Sequence, residues 1–364
     1  MKLDTVQITN FRNIEVLSIV PDAKLNIFFG ANGSGKSSIL EAIHYLGFTR
    51  SFRTAKHKNV IQRSKASFTV FAEINSDSSY HKLGFSRALD DTCLVSIDGI
   101  KSRSAVDLVS RIPVQFFSPQ SSELILGSPK LRRRYLDWLL FHVEQQFAQT
   151  FAQYRRCLSQ VNASYKQKSY VKDAKEGMFW IERYCLLGEQ ISALHEQLLQ
   201  NEFNEYIAVN LHEFLPEYSF DISYHKGWDK NLTLREALDK SYEADRYRGF
   251  VSVGPHKSDL RIKIDGVLAH EILSRGQARM LVAALQIAQT QYLHAKLNKS
   301  VVFLLDDIGA ELDSHKQQLF INRLLATESQ LFVTAIDSKQ LQYISNYPSK
   351  KLFHVEHGQA REEI

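Results

Sequence analysis

Residues Gly30, Ala31, Asn32, Gly33, Ser34, Gly35, Lys36 and Ser37 fit the pattern G-x-x-x-x-G-K-[ST], and that pattern admits few folds. It needs a strand before it, to deliver the loop, and a helix after it, to present free backbone N–H groups to a phosphate. Both flanks comply. Leu25–Phe29 is a short apolar run that enters Gly30 directly, and Ser38–Leu46 repeats its apolar positions with helical spacing. The glycines let the N–H groups from Asn32 to Lys36 wrap an anion, with Ser38 opening the helix. Lys36 is expected to reach the β- and γ-phosphates of ATP, and the Ser37 hydroxyl to ligate Mg²⁺.

The partner motifs lie roughly 240 residues further on. Val301–Leu305 is a continuous apolar run ending in Asp306 and Asp307, as expected for a central parallel strand that opens at its C-terminal edge. Asp306 is the expected Mg²⁺ holder, and Asp307 the group that orients or deprotonates the attacking water. Just before that strand comes Leu273-Ser274-Arg275-Gly276-Gln277. Ser274 and Gln277 form a capping box for a helix over 276–297, and the same serine and helix start suit the γ-phosphate of a nucleotide held by a second copy. Gln120, after the strand Val114–Phe117, is a candidate γ-phosphate sensor or simply a polar loop residue.

Order and spacing are those of ABC-type ATPases: P-loop, signature serine, acidic strand end, then Ala310-Glu311-Leu312-Asp313 as a seam turn. Most of those proteins carry Glu where Asp307 stands, so hydrolysis is expected to be slow. Transporter ATPases place a histidine after the next strand, whereas this chain has Thr334-Ala335-Ile336-Asp337. A small-molecule kinase would not need the signature, and a nuclease would need a further acidic cluster.

The intervening chain changes texture. From Lys130 to about Pro216 it has no proline and only two glycines, which predicts long helices interrupted around Lys166–Gly177. Strands are expected at 67–75, 82–98, 218–224 and 250–264, with Asp98-Gly99 and Asp265-Gly266 as hairpin turns. The fold class expected is α/β, an ABC/SMC-type ATPase head with a mixed sheet, plus an inserted helical domain. The head would comprise 1–120 and 250–364, and the helical arm 121–249.

The three cysteines form no metal or disulfide pattern, and no stretch approaches the ~20 apolar residues of a membrane span. The expected location is cytoplasmic. A net charge of +5 permits nucleic-acid binding without demanding it. Two basic stretches are candidates for DNA phosphate: Arg50, Arg53 and Lys56 after the P-loop helix, and Lys130, Arg132, Arg133 and Arg134 at the start of the insert.

Taken nearly end to end, the chain resembles the bacterial RecF family of SMC-like recombination and gap-repair ATPases. The match rests on Ile8–Asn13, the P-loop with Leu40–Ile43, Arg50–Arg53, Phe117–Pro119 with Gly127–Pro129, Val253–Lys257, Leu273–Gln277, Asp306–Asp313 and Phe353–Gly358. Gly309 and Ser258 depart from the family pattern. The resemblance implies ATP-dependent homodimerisation, slow ATP hydrolysis, and binding to duplex DNA beside single-stranded gaps. It also implies RecR and RecO as partners in assembling RecA on gapped DNA, with a part in the SOS response. Another SMC-like or transporter-type ATPase subunit is the alternative. Gly254-Pro255-His256 has no role that residue chemistry alone supplies.

Overall fold

The computed structural model describes residues 1–76, 79–166, 175–307, 314–337 and 347–363. Its chain divides into two compact units, residues 1–121 with 290–364, and residues 122–289.

The first unit begins with β1 (Lys2–Phe11), β2 (Ile14–Ile19), β3 (Leu25–Phe29) and α1 (Lys36–Phe48). Then come β4 (Ser67–Ser76), β5 (Ser79–Ala88), β6 (Cys93–Ile97), β7 (Ile100–Ser102), α2 (Ala105–Val109) and β8 (Val114–Phe117). The second unit holds α3 (Glu123–Leu126), α4 (Pro129–Val143), α5 (Phe147–Lys166), α6 (Lys175–Gln200) and α7 (Phe203–Phe214). It continues with β9 (Phe220–His225), α8 (Leu234–Arg248), β10 (Asp259–Ile264), β11 (Val267–Leu268), α9 (Ala269–Ile272) and α10 (Arg275–Leu297). The chain then returns to the first unit as β12 (Val302–Leu305), α11 (Ser314–Leu325), β13 (Gln330–Ala335), β14 (Lys350–Glu356) and β15 (Gln359–Glu363).

Two six-stranded sheets build the first unit. One is antiparallel in the order β2-β1-β4-β5-β6-β7; the other runs β15-β14-β3-β13-β12-β8. In the second sheet all neighbours are parallel except the β14–β15 hairpin at its edge. Its inner strands β12 and β13 are buried at every position, which explains their unbroken apolar runs. The P-loop strand β3 lies between β13 and β14, so the loop emerges mid-sheet.

One hydrophobic cluster joins the inner faces of both sheets through α1, and eleven of that helix's residues are buried. Tyr45 of α1 packs edge-on to Phe68 and Phe11 at 5.0 and 5.7 Å, contacts worth about 0.5–1.5 kcal/mol each beyond area burial. The loose spacing of Leu3, Val6 and Ile8 has a specific cause. The β1–β4 register shifts between Leu3 and Thr5, a bulge that lets residues three apart face one core.

Several expectations need correction. The segment 82–98 is two strands, β5 and β6, separated by a turn at Asp91, whose φ is 72°. Of 250–264 only β10 is strand. Between β9 and β10 lies α8, which opens with a Thr233/Glu236 capping box and closes at Gly249 in the left-handed region. The return to the first unit falls inside α10, at Thr290, not at 250. The physical reason is β10, which pairs with β9 from Asp259↔His225 to Ile264↔Phe220 and so keeps its segment in the second unit. Asp98-Gly99 and Asp265-Gly266 are two-residue hairpin turns with positive φ at both positions, as their sequences demand. Residues 167–174, where the helical break is expected, lie outside the described residues apart from their flanks, as do Gly309 and Ala310–Asp313.

A candidate nucleotide-binding cleft

The loop from Gly30 to Gly35 gets its shape from what surrounds it. Gly30 and Gly35 have φ of 146° and 121°, conformations that cost an L side chain dearly. A methyl group on Gly30 would also strike the Val355 carbonyl of β14, and one on Gly35 would meet Asn13 at 3.0 Å and Gly358 at 3.2 Å. The β14–β15 turn braces the loop directly: Gly358 N–H donates to the Ser34 carbonyl at 2.7 Å, and Asn13 Nδ2 donates to the same oxygen at 3.2 Å. Ser38 Oγ in turn donates to Asn13 Oδ1 at 3.0 Å.

Above the loop lies a cleft of about 550 Å³, lined by Asn32, Gly33, Gly35, Lys36, Ser37 and Ser38. Asp306, Asp307, Thr334, Arg12, Asn13, Arg53, Asn59 and Arg63 complete its polar wall. Lys36 Nζ donates to the carbonyls of Gly30 and Ala31 at 2.6 and 2.9 Å. Burial lowers its pKa, and the charges of Asp306 and Asp307 pull it back up. Ser37 Oγ donates to Asp306 Oδ1 at 2.8 Å. Burial raises the Asp306 pKa, offset by the hydroxyls of Ser37 and Thr334 and reinforced by the Asp307 charge. This set of hard oxygen donors fits Mg²⁺. The buried Ser34 Oγ has no hydrogen-bond partner among the described residues.

No nucleotide motif contains Arg12, Asn13 or Thr334, yet all three line the cleft. Thr334 Oγ1 donates to Asp306 Oδ1 at 2.9 Å and accepts from Asp307 N–H at 2.8 Å, so one hydroxyl sets both acids. In sequence it is one more β-branched strand residue; only the β12–β13 register, Leu305↔Val333, reveals the role. Arg12 grips the fully buried Glu41 of α1 through two bonds of 2.9 and 2.7 Å. Removing one partner from such a pair costs about 3–5 kcal/mol.

The remaining candidates scatter. Gln120 is exposed, accepts from Ser118 Oγ at 3.1 Å and does not line the cleft. Every lining residue comes from the first unit; Ser274, Gly276 and Gln277, in the second, are not among them. There Gln277 N–H donates to Ser274 Oγ at 3.3 Å and Ser274 N–H to Gln277 Oε1 at 3.0 Å, which is the expected capping box.

The basic stretches also divide. Arg53 lines the nucleotide cleft, 3.9 Å from Glu41, with its side chain half exposed. Arg132 is turned inward, bonding Asp259 through Nε at 2.7 Å and three backbone carbonyls through Nη1, while Arg133 donates to the Ser258 carbonyl at 2.6 Å. Both hold α4 to the start of β10, which takes them off the list of DNA contacts. Arg50, Lys56, Lys130 and Arg134 are exposed.

Known proteins agree with this architecture. The family model for the RecF/RecN/SMC N terminal domain matches residues 2–361. A DNA replication and repair protein RecF of Pseudoalteromonas atlantica is 52% identical over 363 residues, covering 100% of both chains. Its counterpart in Shewanella oneidensis is 35% identical, covering 98% of each. Among solved structures, the recombination mediator protein RecF with ATP, of the RecFOR pathway, superposes with a TM-score of 0.88 at 24% identity, over 100% of this chain and 98% of that one. An Smc head bound to the C-winged helix domain of ScpA gives 0.58 at 14% identity, over 100% and 97%; both show the fold. With the P-loop and the acidic strand end in one cleft and likeness running the full length, the chain belongs to the RecF family, within the wider group of SMC-type ATPase heads.

Proposed function

We propose that this chain is an ATP-gated DNA-binding protein of recombinational gap repair, as the names of its relatives suggest. ATP would draw two copies together, the dimer would hold duplex DNA beside single-stranded gaps, and slow hydrolysis would release it. RecR and RecO are the expected partners in placing RecA on gapped DNA, in the service of recombination and the SOS response. Among the described residues no helix is long and apolar enough to cross a membrane.

The observation that carries the dimer is Gly276. Among the described residues a Cβ there would meet nothing within 4 Å, and its φ is not positive, so none of them requires glycine. Yet glycine in a helix costs roughly 0.5–1 kcal/mol relative to alanine. Its neighbours Ser274 and Arg275 are exposed. A close approach from outside the chain, by a nucleotide held by a second copy, would account for the glycine.

Within the cleft, Lys36 is placed to exchange the Gly30 and Ala31 carbonyls for phosphate oxygens, and the α1 N-terminus adds partial positive charge. Ser37 and Asp306 would hold Mg²⁺, which when bound neutralises charge on the β- and γ-phosphate oxygens. Asp307 is the base or water-orienting group, its backbone held at φ 52° with its N–H tied to Thr334. Asp307→Asn should trap an ATP-bound dimer with little turnover; unchanged turnover removes Asp307 from that role. The deciding measurement is mass in solution by light scattering, with and without MgATP and gapped DNA. A monomer-to-dimer shift that needs ATP supports the proposal. A chain that hydrolyses ATP briskly as a monomer refutes it.

A further inference from the structure

The segment Arg246–Lys257, in the second unit, joins the end of α8 to the start of β10 and is built far more rigidly than a connector needs. Gly249 N–H and Phe250 N–H both return to the Asp245 carbonyl, at 2.8 and 3.2 Å. The Asp245 carboxylate, fully buried, takes Ser252 N–H at 2.9 Å and Ser241 Oγ at 2.8 Å. Val251 N–H donates to Asn162 Oδ1 of α5 at 2.8 Å. The His256 ring spans two partners, Val251 O at 3.0 Å and the Tyr154 hydroxyl at 2.8 Å, and burial lowers its pKa to about 4, so the ring is neutral at physiological pH. Because a carbonyl can only accept, Nε2 carries the proton and Tyr154 donates to Nδ1. Tyr184 donates to the Val253 carbonyl. Gly254, φ 126°, lies so close against the Tyr184 hydroxyl that a Cβ would collide with it. This is the work of Gly254-Pro255-His256: it fixes a loop from beneath, with both tyrosines and the histidine.

What the rigid loop displays is the second observation. Tyr247 is 94% exposed and Phe250 42%. Arg246, Arg248 and Lys257 are exposed as well, and Lys257 Nζ lies 5.3 Å from the Phe250 ring centroid. From Arg246 to Lys257 there are three cations and no acid. Basic residues in a last helical turn complement the helix dipole, and that alone explains Arg246 and Arg248. It does not explain a tyrosine held almost wholly in water, nor a lysine and an aromatic fixed beside each other by a braced loop. An apolar protein partner would want contiguous apolar area, whereas here the aromatics alternate with cations. A polyanion with exposed π-faces matches both features.

We propose that Tyr247, Phe250, Arg248 and Lys257 form a contact site for single-stranded nucleic acid, with a base stacking on Tyr247 and the phosphates meeting Arg248 and Lys257. The site uses none of the nucleotide-motif residues and rests on the DNA-binding reading above. Because Tyr247 is so exposed, its replacement leaves the fold intact.

The test uses the full chain and labelled poly-dT and duplex oligonucleotides, followed by fluorescence anisotropy. Tyr247→Ala should weaken poly-dT binding roughly tenfold, within the range that stacking of one base supplies. Tyr247→Phe should restore it, duplex affinity should change little, and ATP turnover should be unaltered. Lys257→Gln should reduce the salt slope of poly-dT binding by about one ion. Wild-type poly-dT affinity in Tyr247→Ala overturns the site, as does a loss confined to the charge variants. A wild-type chain that binds duplex but not poly-dT also overturns it, while leaving the DNA-binding reading in place. A wild-type chain that binds neither refutes both.

Discussion

Two helix starts carry the nucleotide motifs, and they are built in opposite ways. At α1 the glycines are demanded from within: Gly30 and Gly35 have positive φ and lie against Val355, Asn13 and Gly358. Lys36 and Ser38 are buried there, and their polar atoms already have partners. At α10 the cap is exposed, Gly276 faces open space, and the side chains of Ser274 and Gln277 each accept from the other's backbone N–H, with Gln277 also reaching the Tyr218 hydroxyl. One start is braced within its own chain, and the other carries a glycine that none of the described residues requires. A site whose walls are finished by one molecule and whose lid comes from another would be built in this way.

The largest effect should follow from Lys36→Ala, which removes the cation that replaces two carbonyl contacts with phosphate; tight ATP binding should vanish in calorimetry. Ser274→Arg should be next. It adds bulk and charge at an exposed cap, so ATP binding should stay near wild type while ATP-dependent dimerisation is lost in light scattering. A Ser274→Arg chain that still dimerises with ATP breaks the comparison outright. Gly35→Ala forces an L residue to φ 121° against Asn13 and should lower stability by roughly 1–3 kcal/mol in urea unfolding. Gly276→Ala should do the reverse, raising stability by roughly 0.5–1 kcal/mol while weakening the ATP-dependent dimer. If Gly276→Ala strengthened both, the glycine would have no partner to accommodate.

The parts legible in sequence were those whose geometry is local. The P-loop, the acidic strand end and the Ser274/Gln277 box each declare themselves within a few residues, because turn, cap and strand exit are short-range structures. Thr334 was not legible, since its role depends on strand register across β12 and β13. The inward turn of Arg132 and Arg133 was also hidden: a run of cations does not say which face it occupies, and Asp259 is 127 positions away from Arg132. Helix α8 carries many charges and few apolar positions, so periodicity passes it by, although Thr233 and Glu236 spell its start. The end of the inserted unit was misplaced for a related reason, because β10 reads as a strand without saying that its partner is β9.

The brace beneath the P-loop has a consequence for how the protein is made. Strand β3 and its loop are synthesised long before β14, which pairs with β3 from Lys350↔Leu25 to His354↔Phe29, and before the Gly358 turn. At a translation rate of about 5–20 residues per second, the loop waits many seconds for its support. A nascent chain still on the ribosome would therefore carry the whole motif and yet no finished phosphate cradle. Nucleotide capture is thus expected to wait on a segment far downstream of the loop it supports.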